Sequence, residues 1–136
     1  MGKLIIAIGS SDSEKDKGII DTMLREHGFI AEYRCFTKHG LLPEKGIERA
    51  RMYAEEVKKL FGDAEYSIGI DRSENDLYTV TQVVVIPKTG QRGKGAWIRH
   101  PVVSPDSPDS YSDDVREAVW DALGQLLGWH TFSDGR

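Results

Sequence analysis

Apolar and polar positions along the chain follow two alternating periods, and the switches between them mark out the elements. Residues 3–9 form a short β-branched apolar run closed by Gly9, Ser10, Ser11 and Asp12. This is the pattern of a strand buried on both faces. Ser11, Asp12 and Ser13 then offer capping side chains, and Ile19, Ile20, Met23, Leu24 and His27 recur at helical spacing up to Gly28. A helix stopped by glycine is predicted there. Residues 29–36 alternate as a second strand, and Lys38-His39-Gly40 reads as a turn. Pro43 suits the first turn of a second helix of about 17 residues, with an apolar stripe of Ile47, Ala50, Ala54, Val57 and Leu60.

Gly62 and Asp63 break that helix, and residues 65–71 and 76–86 read as two further strands. The short turn at Lys88–Gln91 returns the chain as a strand over 93–103, so the last two strands should form an antiparallel hairpin. Residues 103–111 are a polar, proline-punctuated loop, and 112–128 a final helix with Val115, Ala118, Val119, Ala122, Leu123 and Leu126 on its inner side. There is no internal repeat. The order β-α-β-α-β-β-β-α predicts one three-layer α/β domain over 1–136, with a mixed sheet and an antiparallel hairpin.

Composition narrows the function classes. With 136 residues and 18 Lys+Arg against 22 Asp+Glu, the net charge of −4 argues against a nucleic-acid binder, which needs a dominant basic field. Cys35 is the one cysteine, which excludes an internal disulfide framework and a cysteine-based zinc site. His27, His39, His100 and His130 lack ligand spacing. The longest apolar run, residues 4–8, is far short of a membrane span and does not resemble a secretion signal, so a cytoplasmic setting is expected.

The chemistry is concentrated where the first strand feeds the first helix. A helix amino terminus turned toward the carboxyl end of a strand attracts anions. Ser10, Ser11 and Ser13 add hydroxyl donors there, and Lys15 or Lys17 adds a full charge. A phosphate-bearing ligand suits such a turn, although a capped and solvated first turn explains the same residues.

Residues 6–15, Ile-Ala-Ile-Gly-Ser-Ser-Asp-Ser-Glu-Lys, resemble the Thr-Asn-x-x-Lys phosphate loop of the inosine/xanthosine triphosphatase family, with Ser11, Asp12 and Lys15 on the Thr, Asn and Lys. The similarity continues in order through residues 38–43, Ala50 and Ala54 of the second helix, the strand ending in Asp71, and the hairpin of residues 77–86 and 90–97. Asp12 departs from the family's Asn, Arg72-Ser-Glu-Asn replaces its glycine-rich stretch, and the further strand and helix at its carboxyl end are not recognisable.

The resemblance implies a house-cleaning hydrolase of non-standard purine nucleoside triphosphates such as those of inosine and xanthosine. It would depend on Mg²⁺ (or Mn²⁺) and take a purine nucleotide as its ligand. Asp71, with Glu44 or Glu48, is then expected to hold the metal, with Glu74 and Asp76 in reserve. Lys15 and the Ser10–Ser11–Asp12 turn would grip phosphate, the catalytic pair being Asp71 and Lys15. Trp97 and His39 are candidates for the base. The bland alternative for Glu44 and Glu48 is to complement the helix dipole.

Gly9-Ser-Ser-Asp12 followed by His39 also resembles the aminoimidazole ribonucleotide carboxylase or mutase family, a likeness that ends near residue 70. A nucleotide-binding protein without catalysis and a purely structural domain complete the alternatives. Uncovered sheet edges would favour a homodimer, with no nucleic-acid or membrane partner.

Overall fold

The computed structural model describes residues 3–38, 46–74, 76–89, 93–101 and 110–127. Its elements are β1 (Leu4–Ser10), α1 (Ser13–Glu26), β2 (Ala31–Thr37), α2 (Ile47–Leu60), β3 (Tyr66–Glu74), β4 (Tyr78–Pro87), β5 (Lys94–Pro101) and α3 (Ser110–Leu127). The mixed α/β architecture expected from the periodicities is present, with the elements in the expected order.

β1 is apolar on both sides because it lies inside the sheet, whose order is β2-β1-β3-β4-β5. It pairs in parallel with β2 and β3. β4 pairs antiparallel with both β3 and β5. The antiparallel half thus contains two hairpins, one more than the turn residues foretold, because β3 continues beyond Asp71 to Glu74 before the chain reverses.

One face of the sheet carries α1 and α3. Ile6, Ile8, Ile68, Ile70, Val83 and Val85 of the strands meet Ile20, Met23 and Leu24 of α1 and Val115, Val119 and Leu123 of α3 in the main core. Each large aliphatic side chain buried in this way contributes about 1.5–3 kcal/mol relative to exposure. α2 covers the other face. It lies so close that a Cβ on Gly69 would stand 1.8 Å from the Ala50 carbonyl oxygen, and one on Gly9 2.9 Å from that of Tyr53. Gly9 and Gly69 are register partners across β1 and β3. Together with Ala50 and Ala54 they let helix backbone rest on sheet backbone.

α2 spans Ile47–Leu60, with Gly46 at a positive φ of 67° immediately before it, and Pro43, expected in its first turn, lies outside the described residues. Glu44 and His39 lie outside the described residues. α3 starts at Ser110, two residues before the expected 112. Among the described residues no helix is long and apolar enough to cross a membrane.

Candidate functional site

α1 leaves β1 on one face of the sheet, and α2 leads into β3 on the other. In an open α/β sheet such a reversal opens a crevice outside the carboxyl ends of the strands, where ligands bind. A cleft of 420 Å³ lies there, lined by Ser10, Ser11, Asp12, Lys15, Ile70, Arg72, Glu74 and Tyr111. Its size is within the range of about 300–1,000 Å³ usual for small-molecule sites.

The floor of the cleft is a buried hydrogen-bonded network. The Ser10 hydroxyl donates to Asp16 Oδ2 at 2.5 Å, the Tyr111 hydroxyl donates to Asp16 Oδ1, and Ser10 Oγ accepts the Asp12 N–H at 3.1 Å. Asp16 has no exposed surface. Burial pushes its carboxyl above the usual carboxylate range, against the opposing effect of the hydrogen bonds from Ser10 and Tyr111. Tyr111 is shifted upward as well, first by burial and then by the Asp16 charge, so its phenol stays protonated and remains a donor.

This network changes the reading of the turn. Ser10 is buried and its hydroxyl hydrogen is committed to Asp16. The Ser13 N–H donates to Thr37 Oγ1 at 3.0 Å, and the Lys15 N–H donates to Asp12 Oδ1 at 3.4 Å. With these backbone and hydroxyl donors engaged, Lys15 and Arg72 are the cationic groups that line the cleft. Lys15 Nζ sits 4.7 Å from the centre of the Tyr111 ring and Arg72 Cζ 4.9 Å from it. Arg72 also donates to Thr81 Oγ1 at 3.2 Å and stands 3.7 Å from the buried Asp114 carboxylate. Ser11, Asp12 and Lys15 are exposed at the rim.

Asp71 does not share this cleft. Successive side chains of a strand leave on opposite faces, and Asp71 points to the α2 side, where it is only 4 % exposed. Its Oδ2 accepts the Gly46 N–H at 2.9 Å and the Ser73 hydroxyl at 3.0 Å, while Oδ1 accepts from Arg49 at 3.3 Å. The carboxylate caps α2 from a neighbouring strand and neutralises Arg49. Glu48, in the first turn of α2, pairs with Arg51 on the exposed surface. Trp97 is 59 % exposed on β5. It lies between Ala96 and Ile98, which pack into the α1/α3 core, so it faces away from the cleft.

Mg²⁺ commonly takes one or two carboxylates, with phosphate oxygens and water completing its shell. Asp71 and Glu48 are each paired with an arginine, and Glu44 lies outside the described residues. Asp12 and Glu74 do line the cleft. They fit a divalent cation that arrives together with phosphate, and among the described residues no three His, Cys, Asp or Glu side chains converge into a ready cage.

Sequence reasoning missed Arg72 and Tyr111 as functional candidates. Alternation from Ile68 and Ile70 would have placed Arg72 on the α1/α3 face, but nothing local could bring in Tyr111, 95 residues after Asp16.

No family model matches the chain. No curated protein matches it. Among solved structures it is similar to protein VC0702 from Vibrio cholerae, with a TM-score of 0.52, 14% identity, and coverage of 95% of this chain and 84% of that one. At that identity the likeness concerns the fold alone.

Proposed function

We propose that the chain binds a purine nucleotide by its phosphates in the cleft at the carboxyl ends of β1 and β3, and hydrolyses non-standard purine nucleoside triphosphates such as those of inosine and xanthosine. The observation that carries this reading is the placement of Lys15 and Arg72 in one cleft beside the β1–α1 turn. Two cations at the opening of a helix fit an anion with several oxygens better than a neutral metabolite. The likeness of residues 6–15 to a triphosphatase phosphate loop supports the same ligand class.

In this reading Lys15 and Arg72 hold phosphate oxygens, Ser11 adds a rim donor, and Asp12 and Glu74 face a divalent cation that accompanies the nucleotide. When bound, Mg²⁺ (or Mn²⁺) would offset phosphate charge and acidify a water molecule. The chain itself contributes positioning, and positioning and electrostatics account for most phosphoryl-transfer catalysis.

A second reading, nucleotide binding without hydrolysis, is favoured by the engagement of Asp71 with Gly46, Arg49 and Ser73. A panel of nucleoside triphosphates incubated with protein and Mg²⁺, then resolved by ion exchange, tests both. Selective conversion of the inosine or xanthosine nucleotide, lost in Lys15→Ala, supports hydrolysis. An unchanged panel with saturable nucleotide binding selects the second reading. Absence of binding overturns both.

A further inference from the structure

Both cations of the cleft rest on one aromatic ring. Lys15 Nζ and Arg72 Cζ lie 4.7 Å and 4.9 Å from the centre of Tyr111, a ring anchored from beneath by its hydroxyl's bond to buried Asp16. Asp16 also takes the Ser10 hydroxyl, whose oxygen accepts the Asp12 N–H. One chain of hydrogen bonds therefore runs from the β1–α1 turn through α1 to the start of α3. Two like charges held over one ring repel each other, and an anion that touches both relieves that repulsion. Each also gives up a ring contact readily for a charge-assisted bond to phosphate. The cleft opposes these two positive charges with two carboxylates, Asp12 and Glu74. A lone phosphate thus meets no net positive field. A ligand long enough to engage both cations, and bearing its own divalent metal toward the carboxylates, matches the whole lining.

We propose that Lys15 and Arg72, held over Tyr111, form a paired-cation clamp that selects a polyphosphate chain over a single phosphate. Arg72 is its specificity-determining member and Tyr111 its positioning residue. This rests on the nucleotide-binding reading above and specifies which part of the nucleotide the site discriminates.

Calorimetric titration of the full chain with inorganic tripolyphosphate and with orthophosphate, each with Mg²⁺, tests it. The unaltered protein should bind tripolyphosphate at least about tenfold more tightly than orthophosphate, the increment expected of one further charge-assisted contact. Arg72→Gln should remove most of that preference and weaken the salt dependence of tripolyphosphate binding, and Arg72→Lys should restore the salt dependence. Tyr111→Phe, which keeps the ring, should retain more of the preference than Tyr111→Leu.

Arg72 also stands beside buried Asp114, so Arg72→Gln alone could unfold the chain. The Arg72→Gln/Asp114→Asn pair removes both charges, and in that background the preference should still be lost. Equal affinity for the two anions in the unaltered protein overturns the clamp, as does an undiminished preference in a folded Arg72 variant. If nucleotides bind while Arg72→Gln changes nothing, the clamp fails and the nucleotide reading stands. If tripolyphosphate binds through Arg72 but no nucleotide does, the nucleotide reading fails and the clamp stands.

Discussion

Asp71 and Arg72 are consecutive in β3, yet they serve opposite faces of the sheet: Asp71 caps α2 and pairs with Arg49, whereas Arg72 lines the cleft beside Lys15. A single residue step therefore separates a carboxylate that holds α2 from a cation that lines the cleft. Asp71→Asn keeps oxygen and volume but removes the negative charge that faces Arg49 and the Gly46 N–H. It should lower stability by about 1–3 kcal/mol in urea unfolding, while tripolyphosphate affinity stays within about twofold. A large loss of affinity with unchanged stability would reverse these assignments.

The close seat of α2 predicts a sharp contrast between two glycines. A Cβ at Gly69 would stand 1.8 Å from the Ala50 carbonyl oxygen and 2.5 Å from the Ala54 nitrogen, whereas one at Gly18 in α1 meets nothing within 4 Å. Gly69→Ala should cost at least about 3 kcal/mol, because rigid backbone must move. Gly18→Ala should stabilise by about 0.5–1 kcal/mol, through helix propensity alone. Chemical denaturation of the two variants checks both signs.

Asp16 gives stability a definite pH dependence. Its carboxyl is raised in the folded state, chiefly by burial. The folded chain therefore keeps this proton where the unfolded chain has released it. Across that interval the unfolded state binds fewer protons, so stability falls as pH rises from the ordinary carboxylate value and levels off above the folded one. Melting temperatures from acid to neutral pH should lose this component in Asp16→Asn. The same slope in both proteins would refute the assignment.

Cys35 should react slowly. Burial is the main cause that pushes its thiol up, followed by the Glu14 charge. The thiolate is the nucleophile, so alkylation at neutral pH should be slower in the folded chain than in urea. Equal rates would show that the thiol is open.

Trp97 offers a negative control. It is exposed on β5 and faces away from the cleft. Trp97→Ser should leave nucleotide affinity unchanged and shift stability by no more than about 0.5 kcal/mol. A loss of affinity would return it to the base-binding role that its ring chemistry allows.

Much of the fold was legible along the chain because its causes are local. β-branched runs specify strands, spaced apolar residues specify α1, α2 and α3, and Gly28 stops α1 with a positive φ of 84°. Ser11, Asp12 and Lys15 could likewise be singled out from a strand–turn–helix pattern, and they do line the cleft. Tertiary structure decided what no local pattern carries. The register of β3 sent Asp71 to the α2 side, where Gly46 and Arg49 occupy its oxygens. Burial at the end of β1, against α1, commits the Ser10 hydroxyl, expected to face phosphate, to Asp16. The return of α3 brought Tyr111 over Lys15 and Arg72. The sequence by itself determined the elements and the polar turn, since propensity and periodicity act over a few residues. Which side chains share a cleft depends on strand order and facing, set by packing between elements far apart in the chain.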